Sequence, residues 1–288
     1  MINRPQKLLF SGLSARLSII LCSILLSATS ADVLAQGDLL ISPLRIVFEG
    51  SKRTQEINLA NVGKDTATFA VSIKNIRMLA NGGFEEITEP DSGQRFAEPY
   101  LRFFPRKVTL APNEAQVVKV QLIKTNELPA GECRSHLYFR AVPDESLQGQ
   151  APPKKDSGIS IHLTPIYGIT IPVIIRTGDC HAEVTLSDLS FENIHNDTPV
   201  VRLTFNRSGN ISVYGELKVD YISPSGKSTQ VKIEKGLGIY TPNLVRHEVV
   251  MLDTDKNVNY NKGKLHITYS VQMSDKTTKN VEADIELK

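Results

Sequence analysis

Apolar positions along this chain alternate with polar ones over short runs, and Gly, Pro and Asn punctuate the runs at intervals of about 8–15 residues, a spacing that predicts short strands. Leu39 to Phe48 (LLISPLRIVF) reads as a first strand interrupted by Pro43, as edge or sheet-switching strands are. Gln55 to Asn61 directs Ile57 and Leu59 to one face, and Thr68 to Met78 does the same with Phe69, Val71 and Ile73. Val108 to Leu110, Ala115 to Ile123 and Cys133 to Val142 continue the series, separated by Ala111-Pro112-Asn113-Glu114 and by Leu128-Pro129-Ala130-Gly131. Asn81-Gly82-Gly83 marks a further turn.

Pro143 to Gly158 (PDESLQGQAPPKKDSG) breaks the pattern: it is polar, rich in Pro and Gly, and without periodicity, so it is expected to be a mobile loop. Beyond it, Ile159, Ile161 and Leu163 alternate, and a long apolar strand resumes from Ile169 to Arg176, with Pro165 and Gly168 implying a kink between the halves. After Thr177-Gly178-Asp179, seven more strands are expected: Ala182 to Phe191, Val200 to Arg207, Gly215 to Ile222, Thr229 to Ile233, Arg246 to Leu252, Lys264 to Gln272 and Val281 to Leu287. Helical periodicity is lacking. The expectation is an all-β protein of two immunoglobulin-like β-sandwich domains in tandem, residues 36–177 and 178–288, after a cleaved signal peptide at 1–35.

The leader reading rests on Arg4, Lys7 and Arg16 ahead of an apolar run from Leu17 to Ala28, too short to span a bilayer, and on Val33 and Ala35 before the cut. Its loss removes three basic residues and one acidic one, so the formal charge of +2 on the whole chain falls to zero. A neutral exported protein has no electrostatic reason to bind nucleic acid or an anionic membrane surface. Of three cysteines, Cys22 leaves with the leader, and Cys133 and Cys180 remain. An oxidising compartment suggests a disulfide between them, with two free thiols as the alternative. If the strands that Cys133 opens and Arg176 closes are antiparallel neighbours, both cysteines lie at the same end of the first domain, within bridging reach.

Catalytic signatures are lacking. No nucleophile elbow, phosphate-binding loop or metalloprotease helix occurs, and the six histidines are isolated. Glu85-Glu86 and Asp253/Asp255 read as solvated loop charge. Nothing calls for a cofactor or a metal, and the protein reads as a non-enzyme with a binding surface. The alternating face of Ile159, Ile161 and Leu163 is a candidate for it, since an edge strand can add to the sheet of a partner.

Four linked segments carry a family resemblance: Leu44-Arg45-Ile46-Val47-Phe48-Glu49-Gly50 with Arg53 and Ile57-Asn58-Leu59-Ala60-Asn61; Phe104-Pro105-Arg106-Lys107-Val108-Thr109-Leu110-Ala111-Pro112; Gln116-Val117-Val118; and Leu128-Pro129 with Glu132-Cys133-Arg134-Ser135-His136-Leu137-Tyr138-Phe139. In order and spacing they resemble periplasmic pilus chaperones of the chaperone–usher pathway (PapD-like), over most of residues 38–176. The resemblance implies a chaperone that lends a donor strand, here Ile159, Ile161 and Leu163, to an incomplete pilin subunit and delivers it to an outer-membrane usher. It implies a cationic pair that anchors the carboxylate end of the pilin. Arg45 matches the first member. Pro172 stands where the second, a lysine, is expected, so Arg140, ahead of Arg102 and Arg134, is the candidate substitute. An exported structural or adhesive surface protein of Ig-like domains is the competing reading.

Overall fold

The computed structural model describes residues 39–143, 166–194, 198–254, 258–272 and 277–287. Eleven strands build a first sandwich: β1 (Leu39–Ser42), β2 (Ile46–Phe48), β3 (Thr54–Asn61), β4 (Ala67–Lys74), β5 (Ile76–Met78), β6 (Phe84–Glu86), β7 (Leu101–Phe104), β8 (Lys107–Leu110), β9 (Ala115–Leu122), β10 (Gly131–Val142) and β11 (Gly168–Thr177). Seven build a second: β12 (Ala182–Ile194), β13 (Thr198–Gly209), β14 (Val213–Ile222), β15 (Ser228–Ile239), β16 (Val245–Met251), β17 (Gly263–Gln272) and β18 (Thr278–Leu287). Helix is confined, among the described residues, to two short 3-10 turns.

In the first sandwich one sheet runs β1-β3-β9-β7 and the other β2-β11-β10-β4-β8, while β5 and β6 form a separate hairpin. The interruption at Pro43 is a change of sheet: β1 pairs antiparallel with β3, and three residues later β2 pairs parallel with β11. Alternation supplies the core. Ile57, Leu59, Val118 and Val120 face Val71, Leu137, Phe139, Ile171 and Val173 across the two sheets, all nearly fully buried, each such aliphatic or aromatic side chain contributing about 1.5–3 kcal/mol. The turn at Ala111 to Glu114 places Asn113 in the left-handed region (φ 62°), and the Glu114 carboxylate accepts the Ala111 N–H at 2.7 Å.

The second sandwich packs β12-β13-β16 on β15-β14-β17-β18. Its core centres on Phe205 and Tyr269, whose rings meet edge to face with centroids 4.8 Å apart. The turn at Pro224 to Lys227 joins β14 and β15 with Gly226 at φ +85°.

Two strands were not legible in the alternation. β7 is one, and β6 is the other: Glu85 and Glu86 lie on it rather than in a loop, paired with Arg77 and Lys74 of the neighbouring strands. The disulfide is corrected. Cys133 and Cys180 are both free thiols. Register is the reason: Gly131 pairs with Thr177, so Cys133 stands opposite Ile175, and Cys180, beyond the strand end, contacts the Gly131 and Thr177 carbonyls. The Cys133 side chain is turned into the core of the first sandwich.

Candidate functional site

β10 is buried from Gly131 through Leu137 without alternation, because both of its faces are covered there. Odd-numbered positions enter the sandwich core, and Glu132, Arg134 and His136 face the second sandwich. Neighbouring strands do likewise: Ile174 and Arg176 on β11, and Arg45, Val47 and Glu49 along β2. Val47, Met78, Ile174 and Tyr240 form a small apolar cluster at this junction.

Polar contacts fix the junction around Glu132, whose side chain is fully buried. Its carboxylate accepts Arg176 Nε–H at 3.0 Å, the Ser212 N–H at 2.9 Å, the Ser212 hydroxyl, and the Thr241 hydroxyl at 3.3 Å. Arg176 also donates to Glu49 at 2.8 Å and to the Ser212 carbonyl at 2.8 Å. Four donors, one of them a guanidinium, compensate the burial of this carboxylate. The β5–β6 hairpin makes a second connection: Ala80 O accepts the His247 N–H at 2.7 Å, and Met78 O accepts Asn243 Nδ2–H at 2.7 Å. At the hairpin tip Gly82 (φ +81°) lies against the Arg246 guanidinium, where any Cβ would stand 2.9 Å from Nη2.

Arg45 stands in the cleft between the sandwiches. Its guanidinium carbon lies 4.5 Å from the ring centre of Tyr214 and 5.7 Å from that of Tyr240, a cation–π arrangement. Its Nη1 is buried and has no hydrogen-bond partner among the described residues. Arg134 rests on Tyr240 as well, at 4.6 Å, is 2% exposed, and donates from Nη2 to the Thr241 carbonyl at 3.3 Å. Its Nε and Nη1 are unpartnered in the same sense. Two guanidinium groups thus bear on one tyrosine ring. Burial, with the Arg134 charge adding to it, pushes His136 down to about 3, so its imidazole is neutral at physiological pH.

A cavity of about 270 Å³ opens here, lined by Leu44, Ile76, Met78, Phe84, Thr170, Pro172, Tyr214, Tyr240 and His136 among others. On the other flank of Arg45 a wider cleft of about 1030 Å³ extends past Lys52, Arg176 and Lys279. β2 covers β11 only from Val173 to Ile175. Among the described residues, Gly168–Pro172 pair with β10 on one side and with no strand on the other. Ile166, Tyr167 and Ile169 are exposed along this open edge, which ends level with Arg45.

No protein-family model matches the sequence, and no curated protein sequence matches it. Solved structures do. The chain is similar to the class 5 fimbriae chaperone CfaA, with 14% identity over 87% of this chain and 99% of that one, at a TM-score of 0.43. It is similar to a chain of the CsuC–CsuE chaperone–tip adhesion subunit pre-assembly complex from archaic chaperone–usher Csu pili of Acinetobacter baumannii (11% identity, 85% and 97% covered, TM-score 0.43). It is similar also to a chain of the Salmonella enterica SafA pilin–SafB chaperone complex (12% identity, 86% and 97% covered, TM-score 0.41). Each is, or contains, a chaperone of fimbriae or pili. At such identities and scores no residue role carries over, and the site rests on its own geometry.

That geometry separates the candidate residues. Arg45 is at the end of the open edge. Arg140 is not beside it: it is exposed, pairs with Gly168 and Ala70, and lies four residues along β10 from His136, a rise of ~13 Å. Arg102 belongs to the opposite sheet, paired with Gln121. Arg134 is the arginine that the fold brings to the Arg45 cleft. It shares strand and parity with Arg140, so only the cover supplied by the second sandwich tells the two apart. Tyr214 and Tyr240 gave no signal in the sequence, since they lie far along the chain in ordinary strand contexts. Ile159, Ile161 and Leu163 lie outside the described residues.

Proposed function

We propose that this chain is a periplasmic chaperone, exported by its signal peptide. It caps incomplete Ig-like pilin subunits by donor-strand complementation and delivers them to an outer-membrane usher. The observation that carries the reading is the buried Nη1 of Arg45, which has no partner among the described residues, at the end of the edge of β11 that no described strand pairs with. A strand added along Gly168–Pro172 lies in line with β2. If it runs parallel to β11, as β2 does, its carboxyl end meets Arg45. A cation there selects that direction, because a chain end bearing a carboxylate gains a charge-assisted hydrogen bond and a chain end bearing an ammonium meets repulsion. Ile159, Ile161 and Leu163, upstream on the same segment, supply apolar side chains for the groove of the subunit, at about 1.5–3 kcal/mol each before ordering costs. The resemblance over residues 38–176 supports the same reading.

Co-purification from periplasm tests this. The wild-type chain is expected to bring down a pilin subunit, and Arg45→Ala and Ile161→Asp to lose it while remaining folded. Removing the Arg45 contacts with Tyr214 and Tyr240 costs about 1–2 kcal/mol, so the melting temperature of Arg45→Ala falls by no more than about 8 °C and the protein stays folded. Subunit capture by both variants at wild-type levels overturns the proposal.

A further inference from the structure

We infer that the cavity beside Arg45 receives the last side chain of the bound partner, and that this side chain is apolar or aromatic. The inference rests on the carboxylate-end reading of Arg45 and refines what partner that site accepts. The walls come first. Leu44, Ile76, Met78, Phe84, Pro172 and Tyr240 give it apolar and aromatic walls, and Thr170, His136, Tyr214 and Arg246 bring polar groups to it in similar measure. Phe84 packs over the other two rings, 6.2 Å from His136 and 6.1 Å from Tyr240 between centroids.

The charges come second. Arg246 also lines the cavity, but its groups are engaged by Glu248 at 2.6 and 2.8 Å and by the Gly238 carbonyl at 2.7 Å. His136 is 4% exposed and its Nδ1 has no partner among the described residues; with its proton affinity depressed by burial and by Arg134, it contributes no charge. Arg134 also bears on Tyr240 and has nitrogens without a partner among the described residues, but it is only 2% exposed; the more open cation is Arg45, whose two supporting rings, Tyr214 and Tyr240, are themselves walls of the cavity. A chain end placed on Arg45 therefore has its terminal side chain within reach of a compartment walled in part by apolar and aromatic side chains.

Size and register agree. A volume of about 270 Å³ falls below the ~300–1,000 Å³ of small-molecule sites and suits one amino-acid side chain. On β11, Thr170 and Pro172 line the cavity from the face opposite the core residues Ile171 and Val173. A strand paired beside them sends every second side chain to that same face. Pro172 is the telling residue: it presents a ring carbon surface, and not a second cation, at the level of Arg45. This strand therefore adds apolar contact, not a further charge, to the two guanidinium groups of the cleft, Arg45 and Arg134.

The probes are short N-acetylated peptides of alternating Val and Thr ending in Phe, Gly or Asp, each as free acid and as amide. Binding to the protein purified from periplasm is read by calorimetry. The Phe acid is expected to bind about tenfold or more tightly than the Gly acid, and the Asp acid more weakly than either. Thr170→Phe fills the cavity from an exposed strand position and Phe84→Ala opens it from an exposed hairpin, and in both the Phe-to-Gly ratio is expected to fall toward one. Phe and Gly acids that bind alike, or no binding at millimolar peptide, overturn the inference. The two readings fail separately. Acid bound over amide, with dependence on Arg45 but none on the last side chain, removes the cavity assignment alone. Acid and amide bound alike remove the carboxylate-end reading too.

Discussion

Replacing Glu132 by alanine tests how the two sandwiches are held. The fully buried carboxylate joins Arg176 and Thr241 and takes both the backbone N–H and the hydroxyl of Ser212. Deleting one partner of a buried ion pair costs about 3–5 kcal/mol, because the remaining charge and donors are left dry and unpaired. Arg176 keeps Glu49 at 2.8 Å and the Ser212 carbonyl at 2.8 Å, so Glu132→Ala belongs at the lower end, about 3 kcal/mol. For a chain of this size each kcal/mol moves the melting temperature by about 2–4 °C, giving a fall of roughly 6–12 °C. Scanning calorimetry is the assay. Loss of this contact also uncouples the lobes, so the wild type is expected to melt in a single endotherm and Glu132→Ala in a broadened or divided one. Glu132→Gln keeps the volume and removes only the charge, and should fall between wild type and Glu132→Ala. A Glu132→Ala protein that melts within about 2 °C of wild type, as a surface change does, refutes the assignment of the junction to this carboxylate.

Protonation of His136 makes stability pH-dependent. Its folded value near 3 lies below the ~6.5 of an unfolded histidine, so the unfolded chain binds the proton first. Stability is lost as pH falls from about 6.5 toward 3, by up to a few kcal/mol in all; His136→Phe is expected to flatten this part of a urea-denaturation profile, and an unchanged slope would count against the buried neutral imidazole. The thiols differ in reactivity. Burial pushes Cys133 up to about 11, against the opposing charge of Arg95, so native protein should react with a thiol reagent at Cys180 alone, and denatured, unreduced protein at both; failure of both to react after denaturation would show a bridge.

Much of the architecture was legible because alternation with period two reports which residues face a core. All seven strands expected after Asp179 are present, from β12 to β18, and Pro43 marked the change of sheet. What alternation cannot report is a second partner for the other face. Arg134 and Arg140 share a strand and a parity, and one is buried and the other exposed because the second sandwich covers one end of β10. Residues of β14 and of the β15–β16 connection decide that cover, far along the chain. The cysteines failed for a related reason: the expected bridge needed the strand end placed to within two residues, a finer reading than turn signals give. Phe84 and the β5–β6 hairpin were hidden because a three-residue strand is too short to show a period.

The pairing of β2 with β11 bears on the order in which the chain can fold. Glu49, just past β2, and Arg176, at the end of β11, are 127 residues apart in sequence. A chain synthesised from its amino end presents β2 early and β11 late. Until β11 has emerged, β2 has no neighbour in its sheet, and the apolar side chains of Ile46 and Phe48 have only half of their final surroundings. Closing so long a loop carries an entropic cost, and contacts of this separation slow folding. The first sandwich therefore closes only after about three-fifths of the chain has been made, and the open edge beside Arg45 comes into being in that same late step.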